Sequence, residues 1–171
     1  MHARKKEPVF CDLDETLIYA TDDAAKSAGV IGSPRKVLGY DVYLRPETAE
    51  ILELCRAGGR RVYLFTHSSF GFAVDVSRVL KIGFDENTIF SFAMILNCRK
   101  ALRPTSALID NKPASDPDTR IKMDALGIGA GRVWIVPSFE PPRFPSARLF
   151  VLGLPRRLAA LDREASFSTR L

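Results

Sequence analysis

The sequence predicts an α/β fold in which helices flank a central, mostly parallel sheet. Short apolar runs bounded by turn-forming residues indicate buried strands, and they alternate with segments whose apolar residues recur at helical spacing. The chain has 171 residues, 46% of them hydrophobic and 26% charged, which is enough for one domain with a real core. These values exclude a second catalytic domain, wholesale disorder, a fibrous repeat and a disulfide scaffold.

The core strands are predicted from brief apolar runs that are rich in β-branched and aromatic residues. The segment from Ile89 to Leu96 is a further strand or a buried segment. Residues 40–44 alternate in polarity, which is typical of a half-exposed strand. The predicted core strands comprise residues 9–11, 62–65, 107–109 and 133–136.

The helices are predicted from apolar spacing and from residues that favour helix ends. One amphipathic helix has Pro46 at its first helical position and stops at Gly58. Another runs up to Gly83. Residues 137–145 hold four prolines and predict a linker or an extended wrap, and residues 155–165 resemble a short arginine-bearing helix.

The composition also bears on the protein's location. The longest uncharged stretch has 13 residues, whereas a membrane-spanning helix needs about 20. The basic N-terminus is not followed by the apolar region of a secretory signal. Cys11, Cys55 and Cys98 form no C-x-x-C pair, which argues against a disulfide framework or a zinc knuckle and fits a reducing compartment. We therefore expect a cytoplasmic protein with no membrane partner.

The net charge of +5 is concentrated near the C-terminus. Residues 141–171 hold six arginines and two acidic residues, a net charge of +4. A nucleic-acid-binding motif does not accompany these arginines, and a solvated helix face explains them more simply. Nucleic acid is therefore only a weakly supported partner.

Polar side chains follow three of the predicted core strands. In an open parallel sheet, ligands bind beyond the carboxyl ends of the strands. We expect one crevice formed by Asp12, Asp14 and Thr16 after the first strand, Thr66, His67 and Ser68 after the second, and Asp110 and Asn111 after the third.

This set of side chains suggests a metal and a reaction. Carboxylate and carboxamide oxygens suit Mg²⁺, which binds through few protein oxygens together with a substrate phosphate. A carboxylate can also attack phosphorus and form an aspartyl-phosphate when the metal and hydrogen-bond donors neutralise the phosphoryl charge.

Residues 12–16 (D-L-D-E-T) resemble the D-x-D-x-T motif of the haloacid dehalogenase (HAD) superfamily of phosphotransferases. The resemblance is to its capless phosphatases of the NLI-interacting-factor, or RNA polymerase CTD phosphatase, type, and it spans roughly residues 8–137. It implies a HAD-like Rossmannoid fold without a large cap domain. Residues 1–140 would form the catalytic domain, and residues 141–171 a proline- and arginine-rich extension with a short helix, packed on that domain or trailing from it. The segments that carry the resemblance are residues 12–17, 43–46, 64–66 and 109–111.

The resemblance implies a phosphatase that works in two displacements. Asp12 would attack phosphorus, while Asp14 would protonate the leaving oxygen and then deprotonate the hydrolytic water. Thr66 would hydrogen-bond the phosphoryl oxygens. A lysine would offset the negative charge, and Lys100 is the first choice, with Lys81 as the alternative.

The resemblance also implies the metal ligands and the substrate contacts. Asp12, the backbone carbonyl of Asp14, and Asp110 or Asn111 would hold Mg²⁺. Substrate contacts would come from Thr16, Ser68 and His67, although His67 could instead cap the next helix. The substrate is phosphorylated, and a small molecule, a peptide and a nucleic-acid end all remain possible.

Two other functions remain open at this stage. A noncatalytic phosphoryl-binding or docking module is favoured if neither Lys100 nor Lys81 lies near Asp12. A cysteine-dependent phosphatase is suggested by the C-x₅-R spacing of Cys55 and Arg61. The predicted context argues against it, because the cysteine ends a helix and the arginine begins a strand.

Overall fold

The computed structural model describes residues 6–28, 30, 32–95, 106–140 and 144–168. Its strands are β1 (Val9–Cys11), β2 (Ile18–Thr21), β3 (Arg35–Val37), β4 (Tyr40–Leu44), β5 (Val62–Thr66), β6 (Ile89–Ser91), β7 (Ala107–Asp110) and β8 (Val133–Ile135). Its helices are α1 (Ala24–Ala28), α2 (Thr48–Arg56), α3 (Phe70–Leu80), α4 (Phe92–Ile95), α5 (Pro117–Leu126) and α6 (Arg148–Ser168).

Five strands form a parallel sheet in the order β6-β5-β1-β7-β8, which confirms the predicted α/β class. Strand β1 lies at the centre and is buried on both faces. Val9 and Cys11 pack on one face with residues of α2, α3 and α6. Phe10 packs on the other face with Ala125 and Leu126 of α5. The alternation of side chains along β1 therefore joins the helix layers on the two sides of the sheet.

A second sheet has three antiparallel strands in the order β2-β4-β3. The predicted half-exposed strand over residues 40–44 is confirmed as β4, and it lies in this second sheet. The neighbouring strands β2 and β3 were not predicted. Strand β3 is short, and its Arg35 and Lys36 are exposed, so it lacks an apolar run. This small sheet is the main insertion between β1 and α2, and no large cap is evident in the described residues.

Helix α2 begins later than the proline signal predicts. Thr48 is its first residue and Glu47 its N-cap, so Pro46 lies just outside the helix. The predicted stop is close to the observed one. After Arg56 the chain makes a short 3-10 turn in which Gly58 has a φ of 68°, a left-handed conformation that glycine adopts without steric cost.

Helix α5 was missed because its pattern of apolar residues is interrupted. Lys122 is buried on the core side of the helix, at a position where the helical period calls for an apolar residue. The helix start is conventional, since the Asp116 side chain accepts hydrogen bonds from the backbone N–H groups of Asp118 and Thr119 at 2.9 and 3.4 Å.

The predicted C-terminal helix over residues 155–165 is much longer than expected. Helix α6 has 21 residues, with Pro155 inside it. Arg60 of the segment before β5 donates two 2.9 Å hydrogen bonds to the Asp162 carboxylate of α6. The buried residues of α6 share the main core cluster with α2 and β1: Phe150, Val151, Leu154, Leu158 and Leu161. The domain boundary at residue 140 stays a prediction.

The segment that starts at Ile89 gives only three strand residues before α4, and Leu96 lies outside the described residues. Among the helices that the structure describes, none is both long enough and apolar enough to cross a membrane.

Candidate active site

The carboxyl ends of β1, β5 and β7 meet at one edge of the parallel sheet. Asp12 follows β1 directly, Thr66 ends β5 and Asp110 ends β7. The backbone N–H of Asp12 donates to the carbonyl of Ile109 at 2.9 Å, so the hydrogen-bond ladder extends into the site. The expected crevice is therefore formed because β1 is hydrogen-bonded to both β5 and β7.

Lys122 lies between two acidic side chains at this edge. Its Nζ is 2.7 Å from Asp12 Oδ1 and 2.8 Å from Asp110 Oδ2. All three side chains are buried, with Asp12 only 6% exposed. One cation thus neutralises part of the charge of two carboxylates that are held close together.

Burial and the neighbouring charges shift the pKa values of Asp12 and Lys122. It raises the pKa of Asp12 from 3.8 to about 7, with Lys122 acting in the opposite direction and Asp110 adding to the rise. Burial alone would lower the pKa of Lys122, but the two carboxylates outweigh it and the pKa of the ammonium is raised. The lysine is therefore charged at neutral pH, and Asp12 is close to its midpoint before any further cation is added.

Asp14 has different partners from Asp12. Its Oδ2 accepts a 2.6 Å hydrogen bond from the Ser68 hydroxyl and a 3.3 Å hydrogen bond from the Thr66 hydroxyl. The backbone N–H of Ser68 in turn donates to Thr66 Oγ1 at 3.0 Å. The carboxylate of Asp14 is half-buried and is oriented by two hydroxyl groups from the end of β5.

Thr16 joins the Asp12 side of the site to Asn111. Its hydroxyl lies 3.3 Å from Asp12 Oδ2 and 3.2 Å from Asn111 Oδ1, and it accepts a 3.0 Å hydrogen bond from the backbone N–H of Asn111. Thr16 is fully buried. Its described contacts are therefore with site residues, and its contact with substrate stays a prediction.

A family model for NLI interacting factor-like phosphatases matches residues 9–105, which is more than half of the chain. The chain belongs to this phosphatase family. The resemblance inferred from the D-L-D-E-T motif is confirmed.

Solved structures give a second comparison for this member of the NLI interacting factor-like phosphatase family. One is Fcp1, described as an essential RNA polymerase II CTD phosphatase, with 13% identity and a TM-score of 0.51. The match covers 96% of this chain and 52% of that one. A fission yeast Fcp1 variant bound to beryllium fluoride matches at 13% identity with a TM-score of 0.48, covering 96% and 54%.

The likeness to the first Fcp1 structure shows the fold alone. The chain spans about half the length of these solved proteins. A search of curated protein sequences gives no match.

The lysine of the site is the main residue that sequence reasoning missed. Lys100 lies outside the described residues, and Lys81 is wrong as the alternative. Lys81 is exposed at the end of α3 and lines a separate cavity with Arg56. Lys122 comes from α5, after Asp110 in the chain and beyond the segment that the family model matches. The signal available in the sequence was a lysine at a helix position where the spacing calls for an apolar residue.

His67 does not cap the next helix, because Ser69 does. The Ser69 hydroxyl accepts a 3.3 Å hydrogen bond from the backbone N–H of Phe72. The Nε2 of His67 lies 3.3 Å from the carbonyl oxygen of Asp118 in α5. Burial and the nearby Lys122 lower the pKa of His67, so the imidazole is mainly neutral at pH 7. Substrate contact by His67 stays a prediction.

The cysteine-dependent alternative is wrong on geometric grounds. Cys55 is fully buried within α2, where it packs in the main core cluster with Cys11. Arg61 is exposed at the start of β5. A thiol enclosed in this way cannot reach a phosphate. A hydrogen bond with Cys55, together with burial, raises the pKa of the neighbouring Cys11 thiol well above its ordinary value.

The oxygen donors fit a small hard cation that keeps other ligands. Asp12 Oδ2 and Asn111 Oδ1 both lie within 3.3 Å of the Thr16 hydroxyl. Both oxygens of Asp110 are already engaged, one by Lys122 and the other by the backbone N–H of Lys112 at 2.9 Å. Three or more acidic, histidine or cysteine side chains do not gather into a metal site anywhere in the described residues. Asn111 is therefore a better side-chain ligand than Asp110.

A groove of about 300 Å³ leads to Asp14. Ser68, Ser69 and Phe72 form one wall, and residues of the second sheet form the other. The rings of Tyr40 and Phe72 lie edge to face, 5.5 Å apart. The site thus opens beside an aromatic wall, with no large cap above it among the described residues.

Proposed function

We propose that the protein is a Mg²⁺-dependent phosphomonoester hydrolase that works through an aspartyl-phosphate on Asp12. The observation that carries this proposal is the contrast between two neighbouring carboxylates. Asp12 is buried and paired with Lys122, whereas Asp14 is half-buried and held by the hydroxyls of Ser68 and Thr66. Lys122 favours the ionised form of Asp12, which a nucleophile needs, and the less buried Asp14 can exchange a proton with the leaving oxygen and with water.

In the first displacement, a carboxylate oxygen of Asp12 forms a bond to phosphorus as the bond from phosphorus to the leaving oxygen breaks. Protonated Asp14 donates its proton to that leaving oxygen. Lys122 offsets the charge that Asp12 and the phosphoryl group bring together. The Thr66 hydroxyl, which donates to Asp14 Oδ2 in the absence of substrate, turns its proton to a phosphoryl oxygen, while Ser68 keeps its hydrogen bond to Asp14.

In the second displacement, Asp14 takes a proton from a water molecule that attacks phosphorus. The bond from phosphorus to Asp12 breaks, which releases inorganic phosphate and restores both carboxyl groups for the next turnover. Ser68 keeps the Asp14 carboxyl directed towards the site in both steps, because its hydroxyl is 2.6 Å from Oδ2.

Phosphatases of this type are typically metal-dependent, and we assign the metal ligands to Asp12, Asn111 and the backbone carbonyl of Asp14. When bound, Mg²⁺ supplies Lewis-acid stabilisation of the phosphoryl oxygens. Asp110 supports the site through Lys122, although its side chain was an equal choice with Asn111 on sequence grounds.

Hydrolysis of an aryl phosphate with and without Mg²⁺ tests this function. We expect Mg²⁺-dependent phosphate release that excess EDTA stops and that Asp12→Asn abolishes, while Cys55→Ser leaves it intact. Acid-quenched protein treated with hydroxylamine should yield a hydroxamate at Asp12 in the wild type alone. Turnover that survives Asp12→Asn would overturn the proposal.

A noncatalytic docking module was favoured if neither Lys100 nor Lys81 lay near Asp12. Lys100 lies outside the described residues and Lys81 lines a separate cavity, but a different lysine occupies the position beside Asp12. Lys122 is 2.7 Å from Asp12, which supports the enzyme instead. The open groove suits a phosphate on a large or protruding substrate. Phosphate release from a panel of phosphopeptides, phosphorylated metabolites and nucleic-acid ends distinguishes the substrate classes.

The cytoplasmic location stays a prediction.

A further inference from the structure

Glu15 directly follows Asp14 and has an unusual backbone conformation. Its φ of 58° is in the left-handed region that side-chain-bearing residues seldom adopt. Its carbonyl oxygen accepts hydrogen bonds from the backbone N–H of Phe139 at 2.6 Å and from Arg45 Nη2 at 3.2 Å. Arg45 is fully buried, and it also donates to the carbonyls of Pro137 and Pro145. The surroundings therefore hold Glu15 in this conformation.

The side chain of Glu15 meets the amide of Asn111. Its Oε2 accepts a 3.0 Å hydrogen bond from Asn111 Nδ2 and a 3.2 Å hydrogen bond from the Ser138 hydroxyl. The other end of the same amide, Oδ1, faces the hydroxyl of Thr16 at 3.2 Å. Asn111 thus turns its NH₂ group towards Glu15 and its oxygen towards Thr16 and Asp12.

The two ends of a carboxamide have nearly the same shape, so hydrogen-bond partners decide which end points where. An ionised carboxylate can only accept hydrogen bonds, and it therefore selects the NH₂ end. The Thr16 hydroxyl can both donate and accept, so it selects neither end. The Ser138 hydroxyl lies 3.3 Å from Asn111 Nδ2 and can likewise donate and accept. Of these three partners, only Glu15 discriminates between the two orientations.

We propose that Glu15 is a positioning residue that orients the Asn111 carboxamide so that Oδ1 faces the metal-binding side of the site. This inference rests on the proposed function, because it concerns the same metal ligand. Without Glu15, the NH₂ group could take the place of the oxygen, and NH₂ cannot bind a cation.

The test compares Glu15→Gln with the wild type by calorimetric titration of Mg²⁺ alone, without substrate. Glutamine keeps the shape but offers both a donor and an acceptor, so the orientation of Asn111 is no longer selected. We expect Mg²⁺ affinity to fall by about 10-fold. In turnover assays, the Mg²⁺ concentration for half-maximal rate should rise by a similar factor, with kcat at saturating Mg²⁺ nearly unchanged.

A matched control and a second background separate orientation from general damage. Glu86→Gln should bind Mg²⁺ as the wild type does, because Glu86 is an exposed glutamate between α3 and β6, outside the hydrogen bonds that join Glu15, Ser138 and Asn111. In an Asn111→Asp background both ends of the side chain are oxygen. In the Asn111→Asp background, Glu15→Gln should therefore not lower Mg²⁺ affinity.

Unchanged Mg²⁺ affinity in Glu15→Gln would overturn the inference, as would an equal loss in both backgrounds. Absence of Mg²⁺ binding by the wild type would overturn it as well. A wild type that binds Mg²⁺ and shows the background-dependent loss, yet releases no phosphate, would support the orienting role of Glu15 and overturn the proposed function. A failure of the Glu15 inference can therefore be told apart from a failure of the proposed function.

Discussion

The ammonium group of Lys122 separates two buried carboxylates that would otherwise repel each other. Removing the charge with Lys122→Met leaves Asp12 and Asp110 without their shared partner. We expect kcat to fall by about 100-fold or more, the size of effect seen when one preorganised charge-stabilising group is lost. We also expect the free energy of unfolding at pH 7 to fall by about 3 kcal/mol.

Steady-state kinetics and urea unfolding measure the two effects of Lys122→Met. Lys81→Met is the matched control, because Lys81 is exposed and lies at the end of α3. It should leave both kcat and stability unchanged. Equal losses in the two variants would contradict the role of Lys122.

The raised pKa of Asp12 predicts how stability depends on pH in the metal-free protein. The pKa of Asp12 is about 7 in the folded protein against an ordinary value of 3.8. Between these pH values the folded protein holds a proton that the unfolded chain has released, so stability decreases as the pH rises through this window. Urea unfolding of EDTA-treated protein measures this slope, and it should be shallower in Asp12→Asn. An equal slope in both proteins would contradict the prediction.

The residues of the site were predictable wherever they follow an apolar strand. Asp12, Thr66 and Asp110 all stand at such positions, so strand recognition was enough to bring them together. Lys122 was not predictable in this way, because it lies buried within a helix and buried positions normally hold apolar residues.

At the level of elements, helix α5 matters because it carries the lysine. Asp116→Ala removes the side chain that accepts from the backbone N–H groups of Asp118 and Thr119. We expect a loss of about 1 kcal/mol in the free energy of unfolding, measured with urea. Asp124→Ala is the control, since Asp124 is exposed within the same helix and should cost much less. Similar losses of unfolding free energy in Asp116→Ala and Asp124→Ala would argue against a capping role of Asp116.

The parallel strands were easier to predict than the small antiparallel sheet. Strands β1 and β7 are buried along their whole length, which is typical of parallel strands covered on both faces, and β5 is buried except for the half-buried Tyr63. Strand β8, at the edge of the sheet, is buried at Val133 and Trp134 and exposed at Ile135. Strand β3 is three residues long with two of them exposed, so its pairing with β4 gives it regular structure. Local sequence carries little information about such a partner-dependent strand.

At the scale of the whole molecule, helix α6 belongs to the core. Ending the chain at residue 147 would remove five buried side chains, each worth about 1.5–3 kcal/mol on burial. The sum is comparable to the whole stability of a typical domain. We expect this truncated chain to lose its cooperative thermal transition in calorimetry, while a chain ending at residue 168 keeps it. The side chains concerned are Phe150, Val151, Leu154, Leu158 and Leu161.

This packing changes how the basic C-terminal segment must be studied. Deleting residues 141–171 would remove core as well as charge, so a loss of nucleic-acid binding would have two explanations. Arg148 is paired with Glu50 at 2.8 Å, and Arg157 stacks on the ring of Phe150. Glutamine substitutions at the exposed Arg156 and Arg163 alter charge alone and form the cleaner experiment.

The central place of β1 in the sheet divides the site between two stretches of chain. Cutting the chain within residues 96–105 would leave the complete D-L-D-E-T motif on one fragment. That fragment would nevertheless lack Lys122, which pairs with Asp12, and the other fragment would hold Lys122 without Asp12. Neither piece could turn over substrate alone, and hydrolysis would return only on reassociation through β1 and β7. The order of strands thus makes this protein suitable for fragment complementation, with phosphate release as the reporter of proximity. The first fragment holds Asp12, Asp14 and Thr66, and the second holds Asp110, Asn111 and Lys122.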